Sequence, residues 1–242
     1  MVRVGDTTIR NPVTIAQYGL QEYSYYLVER TDESLRNAIR SANWLVENQD
    51  MQTGKWYYGF DFAVAGMDVT LKAPWSSAMA QGQAMSLLTR VYRVTKDRRY
   101  LDAALRAMHP LHESVSDGGL TADFFGHPFY EEYPTSPPSY TLNGFMFTLI
   151  GLYDLPAVAP ASGASKLFED GINTLTFALP FYDMGNTSAY HLGHLSRPPR
   201  KIHSSPDYHL EHITLLRALS SITGDPIITF YRDLWSSYVE NR

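Results

Sequence analysis

The chain has 242 residues, a net charge of −5, 44% hydrophobic and 19% charged residues, and no cysteine. That is enough chain for one sizeable core or two small domains of ordinary soluble composition, and it excludes a disulfide framework and a thiolate metal site. The acidic balance argues against a nucleic-acid partner, no apolar run approaches a membrane span, and the segment before residue 13 lacks the apolar core of a signal peptide; a soluble protein of open localisation is expected.

Helical periodicity runs through almost the whole chain. Residues 13–29 carry Ile15, Tyr18, Tyr23, Tyr26 and Leu27, and residues 33–48 carry Leu35, Ala38, Ile39, Ala42, Leu45 and Val46 at helical spacing, with Thr31 and Asp32 as start signals. Helices follow over 76–95, with Met79, Gln83, Leu87, Leu88 and Val91, and over 99–109, stopped by Pro110. Four more fit at 139–155, 165–177, 207–222 and 225–239. The connections 50–75, 111–138 and 178–206 are rich in Gly, Pro, Tyr and His, exceed the usual ~12–15-residue loop, and leave room for short hairpins. About eight helices, many in pairs, predict an all-α chain: a single domain over 1–242, an (α/α) toroid whose long loops form a cleft.

The most informative stretch is Glu131-Glu132-Tyr133-Pro134-Thr135, followed by Leu142-Asn143-Gly144-Phe145. It sets two carboxylates and a phenol beside a proline, just before an apolar helix. Pro134 fixes its own φ and pushes Tyr133 toward an extended conformation, while Gly144 permits close approach of a ligand or another backbone. The competing reading is a solvated acidic turn. The 17 tyrosines and 4 tryptophans exceed what a helical core requires and suit a carbohydrate cleft. Lys96, Arg98 and Arg99 read as solvated surface. Arg197, Arg200 and Lys201, near His191, His194 and His203, make a basic strip fit for an anion. His191–His194 and His209–His212, with Glu211 adjacent, have metal-ligand spacing, but HExxH is absent and a metal ranks below anion-contacting and core histidines.

Further collinear stretches join that loop: Ile15–Leu20, Trp44–Asp50, Ser77–Ala84, Thr95–Asp97, Ala103–Ala107, Leu149–Leu155, Leu179–Asp183, Tyr190 with His194, and Asp207-Tyr208-His209. Together they resemble the C-terminal domain of the D-glucuronyl C5-epimerases, in a compact form lacking the family's β-rich regions. The resemblance implies an (α/α) barrel and inversion of C5 of D-glucuronate to L-iduronate in a heparosan-like polysaccharide. It implies no metal or other cofactor, an anionic uronate polymer as partner, and room for a homodimer. It assigns Glu132 and Tyr208 as the acid/base pair, with Tyr133 and Tyr190 on the uronate carboxylate or assisting proton transfer. Asn143 would bind a sugar hydroxyl; Glu131, Trp75, Gln81, His194, Arg197, Arg200 and His209 complete the expected substrate contacts.

The chemistry is demanding. The hydrogen α to a carboxylate is a poor acid, and the intermediate spreads charge onto the carboxylate oxygens, so proton carriers and donors must be placed there. Two departures stand out: Gly193 where the family has an arginine, and Trp75-Ser76-Ser77 where the animal enzymes have tryptophan, tyrosine, serine. Arg197, Arg200 or a protonated His194 would stand in for the arginine. The alternatives are a uronate polysaccharide lyase, a glycoside hydrolase pairing Glu132 with Asp61, Asp68 or Asp123, and a non-catalytic glycan-binding module.

Overall fold

A computed structural model describes residues 2–4, 7–196 and 202–240. In chain order the chain forms the hairpin β1 (Val2–Val4) and β2 (Thr7–Ile9), then helices α1 (Pro12–Glu29) and α2 (Asp32–Asn48). A second hairpin, β3 (Phe62–Ala63) and β4 (Thr70–Leu71), precedes α3 (Ala78–Thr95) and α4 (Arg98–Arg106). A third, β5 (Thr121–Phe124) and β6 (His127–Tyr130), precedes α5 (Leu142–Asp154), α6 (Ala164–Tyr182), a four-residue α7 (Gly193–Ser196), α8 (Pro206–Thr223) and α9 (Pro226–Glu240).

Local chemistry sets these boundaries. Asn11 Oδ1 accepts from the Thr14 N–H with Pro12 at the first helical position, and Asp225 accepts from the N–H groups of Ile227 and Ile228. Lys96, at φ 59, closes α3 by donating its N–H to Tyr92 O. The eight long helices all form where periodicity predicts them. The largest departure is α6, which runs past residue 177 and through Pro180. Leu179 and Tyr182 on that last turn are buried, and the Tyr182 hydroxyl donates to Tyr140 O at 2.6 Å; packing outweighs the helix-breaking residue.

The helices pair as hairpins α1/α2, α3/α4, α5/α6 and α8/α9, and α1, α3, α5 and α8 pack in succession as the inner layer. One continuous core joins all four hairpins. The inner helices α3 and α5 meet backbone to backbone: a Cβ on Gly82 would lie 2.9 Å from Thr148 N and 2.7 Å from Phe147 O. This is the (α/α) barrel expected from the sequence. Its inner helices start at one end, where the β3–β4 loop and the Glu131–Thr141 segment gather, and that end holds the cleft. No helix among the described residues is long and apolar enough to cross a membrane.

Candidate active site

The Glu131–Pro134 segment leaves β6 and is tied down by its first residue. Glu131 donates its N–H to Leu120 O at 2.7 Å and accepts from Ala78 N at 3.0 Å, linking β6 to the start of α3. Its carboxylate is fully buried and turned toward the start of α5, accepting from the Ser139 hydroxyl at 2.6 Å and Tyr140 N at 3.0 Å. Burial pushes its pKa up to about 8, against those donors. Glu131 therefore belongs to the scaffold and not to the expected substrate contacts.

Glu132 faces the other way, into a cleft of about 250 Å3. Its side chain rests on Gly144, where an added Cβ would lie 2.5 Å from Glu132 Cβ. The helical glycine is needed for the close approach of this carboxylate. Glu132 is buried, and its Oε2 has no partner at full hydrogen-bond geometry. Burial pushes its pKa up to about 7; the Glu211 charge adds to the rise, and the Tyr133 hydroxyl and Gly144 N–H hold it back.

Aromatic rings build the walls. Tyr58 stacks on Trp75 at 4.0 Å between centroids, Trp75 on Phe62 at 5.6 Å, and Phe62 on Tyr133 at 5.2 Å. The Tyr133 hydroxyl lies 3.0 Å from that of Tyr190, and the Tyr190 ring lies 4.1 Å from Tyr208 on the first turn of α8. Tyr133 also stands beside Glu132, and Tyr190 beside Tyr208. Glu132, Tyr133, Tyr190 and Tyr208 thus form one connected row of acid/base groups. Burial, reinforced by the Glu132 charge, raises the pKa of all three tyrosines, which keeps them protonated as donors.

Asn143 and Trp75 also line the cleft, as expected. Gln81 and His209 do not. Gln81 is fully buried and donates to Gly54 O and Ala107 O, stapling two loops. His209 Nδ1 accepts from Ser188 N at 3.0 Å and Nε2 meets Trp235 O at 3.2 Å; the Ser188 hydroxyl joins it to His212, whose pKa burial depresses to about 3. These are core histidines, and among the described residues no group of three or more His, Cys, Asp or Glu is placed to hold a metal. His194 lies outside the cleft lining, and burial lowers its pKa, which works against a protonated stand-in for arginine. Arg197 and Arg200 lie outside the described residues. At position 193 the glycine has a packing reason: an added Cβ would sit 2.9 Å from Met67 Sδ, so the space of an arginine stem is filled from the β3–β4 loop.

Sequence reasoning missed Glu211 as a cleft residue. It lines the same cleft and accepts from Asn143 Nδ2 at 3.2 Å. Its spacing of three from Tyr208 on a helix was the available signal. Asp61 pairs with Lys72 at 2.6 Å and Asp123 accepts from Gly126 N; neither lines the cleft, nor does Asp68, so the second carboxylate is Glu211. Among the described residues no lysine, arginine or histidine lines this cleft.

Comparison with known proteins places this arrangement. A family model described as D-glucuronyl C5-epimerase C-terminus matches residues 49–237. The chain belongs to that family. A D-glucuronyl C5-epimerase of Caenorhabditis elegans is 34% identical over 224 residues, covering 88% of this chain and 36% of that protein. The chain therefore spans just over a third of that relative's length. Among solved structures, a D-mannose isomerase superposes with a TM-score of 0.67 at 12% identity, over 96% of this chain and 60% of its own. A family 76 glycoside hydrolase α-mannanase of Bacteroides thetaiotaomicron does so with a TM-score of 0.59 at 12% identity, over 96% and 58%. At such identities these two show the shared fold, whereas the epimerase-family match covers the residues that build the cleft from Tyr58 to Glu211.

Proposed function

We propose that this domain is a uronate C5-epimerase acting on D-glucuronate residues of a heparosan-like polysaccharide. The observation that carries the reading is Glu132: a buried carboxylate with an unpartnered oxygen in an aromatic cleft, a row of tyrosine hydroxyls beside it, and a pKa that burial pushes up to about 7. Membership in the glucuronyl C5-epimerase family supports it.

In this reading Glu132 takes H5 as a proton, and the electron pair moves into the uronate carboxylate as an enediolate. Tyr133 donates to the developing charge. Tyr208 returns a proton to C5 from the other face and is left as a tyrosinate. The proton on Glu132 then passes through the Tyr133 and Tyr190 hydroxyls to Tyr208, which restores the starting state, and these hydroxyls exchange with solvent while the cleft is empty. Raised tyrosine pKa values suit donors and make Glu132 the base. Asn143, oriented by Glu211, would hold a sugar hydroxyl.

Incubation with heparosan in deuterated water tests this. Deuterium at C5 with iduronate signals and intact chains is the expected result. Chain cleavage with new absorbance of an unsaturated uronate would make the protein a lyase, cleavage without it a hydrolase using Glu132 and Glu211, and neither exchange nor cleavage would overturn the reading for this polymer.

A further inference from the structure

A second and larger cavity, about 540 Å3, opens at the opposite end of the barrel, where α1, α3 and α5 finish. On α3 alone, fourteen residues separate Met79 in the cleft from Arg93 in this cavity, about 21 Å of helix. It holds none of the acid/base groups of the cleft. Its lining has the opposite character: Arg30, Arg90 and Arg93 against a single acid, Asp154, with tyrosine rings from Tyr23, Tyr26 and Tyr153.

Asp154 is already used. It pairs with Arg90, accepts from the Ser86 hydroxyl at 2.6 Å, and Arg90 also donates to Ser86 O at 3.0 Å. Arg30 sits over the Tyr26 ring at 5.7 Å. Neither Arg30 nor Arg93 has an acidic partner among the described residues, so the lining carries about two uncompensated positive charges on a protein of net charge −5. Arginine in the last turn of a helix offsets the dipole, and that accounts for Arg93 at the end of α3. It does not account for a cavity within the roughly 300–1,000 Å3 range of small-molecule sites, floored by tyrosines. Nor does it account for Thr89, which lines the cavity with its hydroxyl buried and unpartnered.

We infer that this cavity is a non-catalytic binding site for an acidic sugar residue. A carboxylate or sulfate on a pyranose would bridge Arg30 and Arg93, the ring face would lie on Tyr153 or Tyr26, and a ring hydroxyl would satisfy Thr89. The site would hold a polymer away from the cleft. The choice of a uronate sugar rests on the proposed function; the anion site itself does not.

The test follows Arg30 and Arg93 guanidinium resonances by NMR while a heparosan hexasaccharide or, separately, sodium sulfate is added. The expected result is a shift of both arginines with the hexasaccharide at concentrations where sulfate gives none. Arg30→Ala with Arg93→Ala, two exposed positions, should weaken this binding about tenfold and leave turnover of a short substrate unchanged; Tyr153→Ala provides an independent second variant. No shift, an equal shift with sulfate, or shifts elsewhere that survive the substitutions would overturn the site. Arginine-dependent binding without turnover of any uronate would keep the site and remove the epimerase reading; turnover with no arginine shift would do the reverse.

Discussion

Gly144 and Glu132 occupy one space: the missing side chain of the first is where the carboxylate of the second rests. This contact presses an acid against the start of an inner helix and sets both its position and its burial. Gly144→Ala should displace Glu132 and lower turnover about 10²-fold while the helical circular dichroism stays unchanged. Wild-type turnover in a folded Gly144→Ala protein would show that the carboxylate position is not critical.

Glu132 must be ionised to accept a proton, and its pKa is pushed up to about 7. The rate should therefore climb as pH rises through about 7 and level off above it, since burial raises the tyrosine pKa values above their ordinary value near 10. Glu132→Gln should cost about 10²–10⁴ in turnover and abolish that limb, and Tyr208→Phe should cost a comparable amount. An unchanged acidic limb in Glu132→Gln would move the base elsewhere.

Tyr190 is 2% exposed and stands behind Tyr133 and Tyr208. In the proposed cycle its part is to relay a proton between turnovers. In Tyr190→Phe the reset must use solvent, so product formed from C5-deuterated substrate in ordinary water should retain less deuterium than with the wild type, at similar KM. Equal retention would remove the relay.

Glu131 lies inside the scaffold with a pKa of about 8 against an ordinary value of 4.5. The folded state thus holds a proton that the unfolded chain releases between these values. The contribution of this group to stability is greatest below 4.5 and is lost as pH rises toward about 8. Calorimetry should show the wild-type Tm falling relative to that of Glu131→Gln across that window. Identical slopes in the two proteins would mean that the group is ionised throughout.

Met67 fills the space beside Gly193. Gly193→Arg should destabilise the protein by about 1–3 kcal/mol through overpacking, and Met67→Ala combined with it should recover part of the loss. Thermal melts read both; no loss in the single variant would show that the loop yields freely.

The eight long helices were legible because their apolar residues recur at the helical period, and Thr31 and Asp32 mark the start of α2. The Glu131–Pro134 loop stood out as a candidate through its residue types together with the collinear stretches around it. What the sequence could not assign was direction. Adjacent Glu131 and Glu132 point to opposite sides, one to Ser139 and Tyr140 and the other to the cleft. Gln81 and His209 look like ligands by type, yet both staple the core. Glu211 looked like a bystander to two histidines, yet the approach of α8 to α5 sets it against Asn143.

Local periodicity and composition alone determined that this chain is a set of helical hairpins with polar, aromatic connections, because each helix must bury its own apolar stripe. Only the tertiary structure decided which carboxylates face water, which face protein, and how the tyrosines join in one row. Those outcomes depend on segments brought together from residues dozens of positions apart, as where Asn143 meets Glu211, and no local pattern encodes the packing that brings them there.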